Sequence, residues 1–157
     1  MSEAITQLIV NSTAQTAALA QRVGLQLRQG DTILLQGDIG AGKSFFARSL
    51  IQSLQDIPED VPSPTFTLVQ TYETRAGEIW HADLYRLSDP DEAEELGLTD
   101  AFTTAICLIE WPDRLASLTP INALTLSIET TDVDDQRNIT FAGGSVDLKN
   151  RLSKALV

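Results

Sequence analysis

Basic residues are scarce in this chain: 11 Lys and Arg against 22 Asp and Glu, a net charge of −11 over 157 residues. Duplex nucleic acid is gripped mainly by cations on phosphates, so the chain is not expected to hold nucleic acid by itself. The one basic cluster, Lys149, Arg151 and Lys154, reads as the cationic last turn of a helix, complementing its dipole. Cys107 is the only cysteine, which excludes an internal disulfide. His81 is the only histidine, and no His/Cys grouping has the spacing of a zinc site. No apolar run approaches the ~20 residues of a membrane span. Met1-Ser2-Glu3-Ala4 lacks the basic start and apolar stretch of a secretory signal. The expectation is a cytoplasmic protein with no membrane partner. Repeats, low-complexity stretches and linkers are also missing, so residues 1–157 are read as a single domain, and 43% hydrophobic content suits a globular core.

What the chain does have is Gly37-Asp38-Ile39-Gly40-Ala41-Gly42-Lys43-Ser44, an ungapped match to G-x-x-x-x-G-K-[ST]. Ile33, Leu34 and Leu35 before it suit a buried strand. Phe45, Phe46, Ala47, Leu50, Ile51 and Leu54 after it fall on one helix face. Strand, glycine loop, helix is the order in which backbone N–H groups and a helix N-terminus converge on phosphate oxygens. Lys43 would then reach the β- and γ-phosphates, and the Ser44 hydroxyl would bind Mg²⁺. Guanine-binding GTPases usually carry Asn-Lys-x-Asp. None occurs here, so ATP is favoured over GTP.

Coarse periodicity organises the remainder. Residues 5–10 read as a strand and 12–28 as a helix, with Ser12 and Gln15 as a capping box. After the loop helix, which ends near Gln55, residues 56–64 form a loop holding Pro58, Pro62 and Pro64. Residues 65–72 and 78–87 read as a hairpin, supported by the alternation of Phe66 and Leu68. Asp89-Pro90-Asp91-Glu92 is a helix start and Gly97 its C-cap. A buried strand over 105–109 ends at Glu110, a short helix covers 112–118, strands cover 124–129 and 138–141, and Leu148, Leu152 and Leu156 mark a closing helix. The expected fold is a three-layer α/β domain around a mixed, mostly parallel sheet.

Phosphoryl transfer needs a second acid beside the phosphate loop and a group that orients the nucleophile. Glu110, emerging from Ile106-Cys107-Leu108-Ile109 at the carboxyl end of a buried strand, has the right form, because ligands of open α/β sheets bind at that end. Asp83 is open between a site acid and a structural partner of Arg86 or a backbone amide. Thr65, behind Pro62 and Pro64, is open between a sensor of Mg²⁺ or γ-phosphate and a β-branched strand start. His81 reads as a packed or surface imidazole before a catalytic base, and Cys107 as core.

The ordered segments Gly-Asp-Ile-Gly-Ala-Gly-Lys-Ser (37–44), Ser-Pro-Thr-Phe-Thr-Leu-Val (63–69), His-Ala-Asp-Leu-Tyr-Arg-Leu (81–87) and Ile-Glu-Trp-Pro-Asp-Arg-Leu (109–115) together resemble the TsaE (YjeE) family. The resemblance runs from about Ser12 to Leu118. It implies a Mg²⁺-dependent ATPase, weak alone and stimulated by partners. It also implies work with TsaD and TsaB in placing the threonylcarbamoyl group on adenosine 37 of ANN-decoding tRNAs, with tRNA met only through the complex. By position it makes Lys43 the phosphate lysine, Ser44 and Glu110 the metal-site residues, Asp83 and Thr65 further polar site residues, and places Thr13 near the nucleotide. Many relatives have Thr where Ser44 stands, and either hydroxyl can bind the metal. Two other readings share the loop: a small-molecule kinase, and a non-hydrolysing, nucleotide-dependent interaction module.

Overall fold

A computed structural model describes residues 4–65 and 67–156, with side chains from Thr6 onward. Phe66, part of the expected hairpin alternation, lies outside the described residues. The chain runs β1 (Ala4–Val10), α1 (Thr13–Gly24), β2 (Thr32–Gln36), α2 (Lys43–Ser53), β3 (Val69–Thr74), β4 (Gly77–Asp83), α3 (Pro90–Glu95), α4 (Leu98–Thr104), β5 (Ile106–Glu110), a 3₁₀ segment (Pro112–Leu118), β6 (Leu124–Thr130), β7 (Arg137–Gly143) and α5 (Val146–Ala155). The strands form one seven-stranded sheet in the order β1-β7-β6-β2-β5-β4-β3. β6, β2, β5 and β4 are mutually parallel, while β7 and β3 pair antiparallel to their neighbours. With β1 antiparallel to β7, five of the seven strands run one way, as expected of a mixed, mostly parallel sheet.

Period-two alternation builds the two faces. Ile33 and Leu35 of β2, with Ile106 and Leu108 of β5, pack beneath α1, α2 and α5 through Leu19, Val23, Phe46, Leu50, Leu148 and Leu152. Leu34, Cys107 and Ile109 turn to the other face and meet Ala93, Leu98, Ala101 and Leu115. The middles of the central strands are therefore apolar on both faces, which is why β2 and β5 were readable as buried runs. Cys107 is core, as expected, and burial pushes its thiol up to about 12.

Several boundaries differ from the sequence reading. The first helix stops at Gly24 rather than reaching Arg28, because the chain tightens into a turn (Gln26 N–H to the Val23 carbonyl, 3.0 Å) and the Arg28 N–H goes to the Asp31 carboxylate at 2.7 Å. At its start, Ser12 Oγ accepts from Gln15 N–H as expected, while Gln15 Oε1 accepts from Asn11 N–H, one residue before the cap. The third strand begins at Val69, not at Thr65. Pro64 and Leu68 close a turn at 2.7 Å, and Leu68 sits at φ 67°. β4 ends at Asp83, not at Leu87, because the Asp83 carboxylate accepts from Tyr85 N–H at 3.0 Å and turns the chain. Helix α4 was not expected at all. Its Thr-rich sequence has weak helix propensity, and Gly97, read as the end of one helix, also starts the next. Among the described residues no helix is long and apolar enough to cross a membrane.

Candidate nucleotide and metal site

The phosphate loop leaves β2 at the centre of the sheet and enters α2. Gly42, at φ 110°, is the residue before the helix, in a conformation that favours glycine. α1, α3 and α5 are each capped by a side chain, from Ser12, Asp89 and Ser145, whereas α2 has no side-chain cap. Its N-terminal amides remain available to an anion, with the helix dipole behind them. Gly37 is needed for a different reason: a Cβ there would lie 2.5 Å from the Ile128 carbonyl oxygen of β6. From below, Arg137 of β7 ties the loop to the sheet through Nε–H to the Ala41 carbonyl at 2.8 Å.

Two carboxylates stand at the carboxyl ends of adjacent parallel strands, where Asp83 of β4 is the register partner of Glu110 of β5. Both are buried, with relative exposures of 5% and 2%. Ser44 Oγ lies 3.0 Å from each Glu110 oxygen and 3.4 Å from Ser63 Oγ. Ser63 Oγ is 3.0 Å from Thr65 Oγ1, which donates to Asp83 Oδ2 at 3.1 Å. Three hydroxyls thus link the two acids. His81 Nε2 meets the second Glu110 oxygen at 2.7 Å.

Lys43 donates to the Gly37 carbonyl of its own loop and lies 3.9 Å from the centroid of the Trp111 ring. Trp111, directly after Glu110, sits at φ 56°, a strained turn of the kind that collects at functional sites. Tyr85 packs against it with ring centroids 5.0 Å apart. Burial lowers the Lys43 pKa, opposed by the nearby carboxylates of Glu110, Asp83, Asp38 and Asp113. An ammonium so placed has given up water and gains by meeting an incoming anion.

These groups line one cavity of about 420 Å³: Lys43, Ser44, Thr65, Asp83, Glu110 and Trp111, with Asp38, Ile39, Gly40 and Gly42 from the loop. A smaller cavity of about 310 Å³ on the other side of Lys43 includes Gly37 and Asp113. Ala41 is buried behind the loop. Thr13 is exposed at the start of α1 and does not line the larger cavity.

The residues from 10 to 139 match the family described as "Threonylcarbamoyl adenosine biosynthesis protein TsaE". The chain belongs to the TsaE family. A tRNA threonylcarbamoyladenosine biosynthesis protein TsaE of Rickettsia bellii is 40% identical over 136 residues, covering 85% of this chain and 94% of that one. Its namesake in Haemophilus influenzae is 42% identical over 108 residues, 68% and 66% of the two chains. The crystal structure of YdiB from Bacillus subtilis aligns with a TM-score of 0.81 at 26% identity, over 99% of this chain and 96% of that one.

The structure of this TsaE-family chain therefore gathers Lys43, Ser44, Thr65, Asp83 and Glu110 into one cavity and leaves Thr13 outside it. Asp83 accepts from the Tyr85 amide, the structural partner expected as one alternative, and it also lines the cavity. Ser63, Tyr85 and Arg137 went unassigned in the sequence, and His81, read there as a packed or surface imidazole before a catalytic base, is buried against Glu110. For the contact of His81 with Glu110 a signal existed, because residues 81 and 83 lie two apart on a strand and so share a face. For Arg137 there was none, since its contact spans 96 residues.

The donors around Ser44 are hydroxyl and carboxylate oxygens, hard ligands of the kind Mg²⁺ prefers. Among the described residues no three His, Cys, Asp or Glu side chains form a cage of their own. Mg²⁺ commonly takes one or two carboxylates and completes its shell with water and substrate phosphates. The site fits that partial set.

Proposed function

We propose that the chain is the ATP-binding and ATP-hydrolysing subunit of the machinery that forms threonylcarbamoyladenosine at position 37 of ANN-decoding tRNAs, acting with TsaB and TsaD. The observation that carries the reading is the convergence of Lys43, Ser44, Glu110, Asp83 and Thr65 on one cavity beneath an uncapped helix N-terminus. Family membership supplies the pathway. On this reading residues 1–157 work as one P-loop ATPase domain.

The amides of residues 38–44 and the first turn of α2 hold the phosphates. Lys43 exchanges the Gly37 carbonyl for phosphate oxygens and stabilises the charge that develops on them. The Ser44 hydroxyl and the Glu110 carboxylate would hold Mg²⁺, which would supply charge neutralisation for the bound phosphates. Asp83 fixes the Thr65 hydroxyl at the cavity wall, where it can orient water or sense the terminal phosphate. Trp111 covers the lysine and excludes water from it. With its net charge of −11 the chain would meet tRNA only through its partners.

Phosphate release from Mg-ATP tests this, measured with the chain alone and then with TsaB, TsaD and substrate tRNA. Release that is stimulated by the partners and lost in Lys43→Ala is the expected result. Bound ATP with no release under any condition would favour the interaction module, and phosphate recovered on a small acceptor would favour the kinase.

A further inference from the structure

His81 is fully buried, and its two ring nitrogens are treated very differently. Nε2 lies 2.7 Å from Glu110 Oε2, and Nδ1, also buried, has no hydrogen-bond partner. An apolar side chain at this place would fill the volume and leave no orphaned polar atom. The ring therefore costs the interior an unsatisfied nitrogen, and what it returns is the bond to Glu110. That bond is useful because Glu110 is almost without solvent, and a buried carboxylate needs donors. Ser44 provides one O–H, shared between both carboxylate oxygens at 3.0 Å. A hydroxyl that turns its lone pair toward a cation moves its proton away from the acid. The imidazole N–H is then the donor that stays.

The strand geometry fixes this arrangement. His81 sits two residues before Asp83 on β4, so both side chains leave the same face. Asp83 is the neighbour of Glu110 across the parallel pair. The histidine approaches the carboxylate from the sheet interior while Ser44 approaches it from α2, so the acid is clamped between a strand and a helix.

We propose that His81 is a positioning residue. As the Nε2–H tautomer it holds the Glu110 carboxylate in the orientation that, with Ser44, receives the Mg²⁺ of the bound nucleotide. This rests on the ATPase reading of the same site. Bare Nδ1 is the form that wastes no buried donor.

Because His81 is the chain's only histidine, long-range ¹H–¹⁵N spectra of the labelled full chain report this ring alone. Protonated Nε2 and bare Nδ1 are expected, and the opposite tautomer would overturn the proposal. Nucleotide binding is then titrated by calorimetry across Mg²⁺ concentrations and in EDTA, for wild type, His81→Leu and His81→Gln. The Leu variant should raise the Mg²⁺ concentration for half-saturation by ~10-fold or more, the usual loss when a partner of a metal ligand is removed. Its metal-free nucleotide affinity should stay within about twofold, since the phosphate loop itself is untouched. The Gln variant, whose amide N–H reaches about where Nε2 lies, should restore most of the Mg²⁺ response. Equal Mg²⁺ dependence in Leu and wild type, or equal losses with and without metal in both variants, would reject positioning while leaving the ATPase reading standing. Wild-type binding that ignores both Mg²⁺ and Lys43→Ala would remove the ATPase reading and this proposal together. Should the Leu variant fail to fold, the tautomer and the Gln titration decide.

Discussion

Two charged clusters, one partly buried and one buried, sit at opposite ends of the central strands, and they are built to different standards. At the amino end, Asp31 precedes β2 and receives Arg151 of α5 at 2.9 and 3.2 Å, together with the Arg28 amide at 2.7 Å. Arg151 also donates to the Gln26 carbonyl and, at 3.1 Å, to Asp147. The hydrogen bonds that Arg151 donates to Asp31 hold the guanidinium above its usual pKa. Both side chains keep only 12% exposure, and the fork is fully engaged. At the carboxyl end, Lys43 rests on its own loop, Ser44 divides one proton between two oxygens, and His81 carries an orphaned nitrogen. The first cluster has nothing left to bind. The second is short of partners, and a triphosphate with its cation would supply them. Among the described residues, four of the seven buried polar or charged ones (Lys43, His81, Asp83 and Glu110) belong to this end. At the carboxyl end the polar burial is incompletely satisfied, whereas the Asp31–Arg151 fork is complete.

Substitutions should separate the two ends. The largest effect is expected from Lys43→Ala, which should cut partner-stimulated phosphate release by at least ~100-fold, the scale of losing one preorganised charge-stabilising donor. Thermal unfolding should hardly move, because the lysine's present partners are its own loop and a ring face. Glu110→Gln should follow, with turnover falling ~100-fold and nucleotide affinity by less than about tenfold. Single-turnover and equilibrium binding measurements distinguish the two, and a Gln variant with wild-type turnover would take Glu110 out of the site.

The two ends also differed in how far the sequence revealed them. The loop was legible because its chemistry is local: eight consecutive residues, a strand before them and a helix after. Glu110 was legible because β5 is buried on both faces, so a charge following Ile106-Cys107-Leu108-Ile109 stands out. The Asp31–Arg151 fork was invisible, since its partners are 120 residues apart and Arg151 read as the cationic turn of a helix. Ser63 was hidden for a related reason. Its role depends on a turn at Pro64–Leu68 that pulls 63–65 off the hairpin and over the cavity, a tertiary outcome that the β-rich Thr content argued against. Helix α4 was lost to weak propensity, and only the burial of Leu98 and Ala101 explains why it forms.

Moving to the amino end, Asp31→Ala should lower stability by about 2 kcal/mol, because it removes charge-assisted bonds from a largely buried guanidinium that keeps only Asp147 and the Gln26 carbonyl. Denaturant midpoints would record that loss, while Mg-ATP affinity should remain within about twofold, the contrast that assigns this cluster to the fold. A variant that lost nucleotide binding at unchanged stability would reverse the assignment.

The smallest change is expected a few ångströms away. Arg28 Nη1 approaches the same Asp147 carboxylate that Arg151 uses, at 3.7 Å, with 68% and 66% of the two side chains exposed. Water screens this pair and two flexible side chains must be ordered to make it, so Arg28→Ala should shift stability by less than about 0.5 kcal/mol. The backbone N–H of residue 28, which does bond Asp31, survives the substitution. Urea unfolding of Arg28→Ala beside Asp31→Ala measures both terms on one scale. A loss for Arg28→Ala as large as that for Asp31→Ala would mean that the exposed arginine, and not the buried fork, anchors α5 to the start of β2.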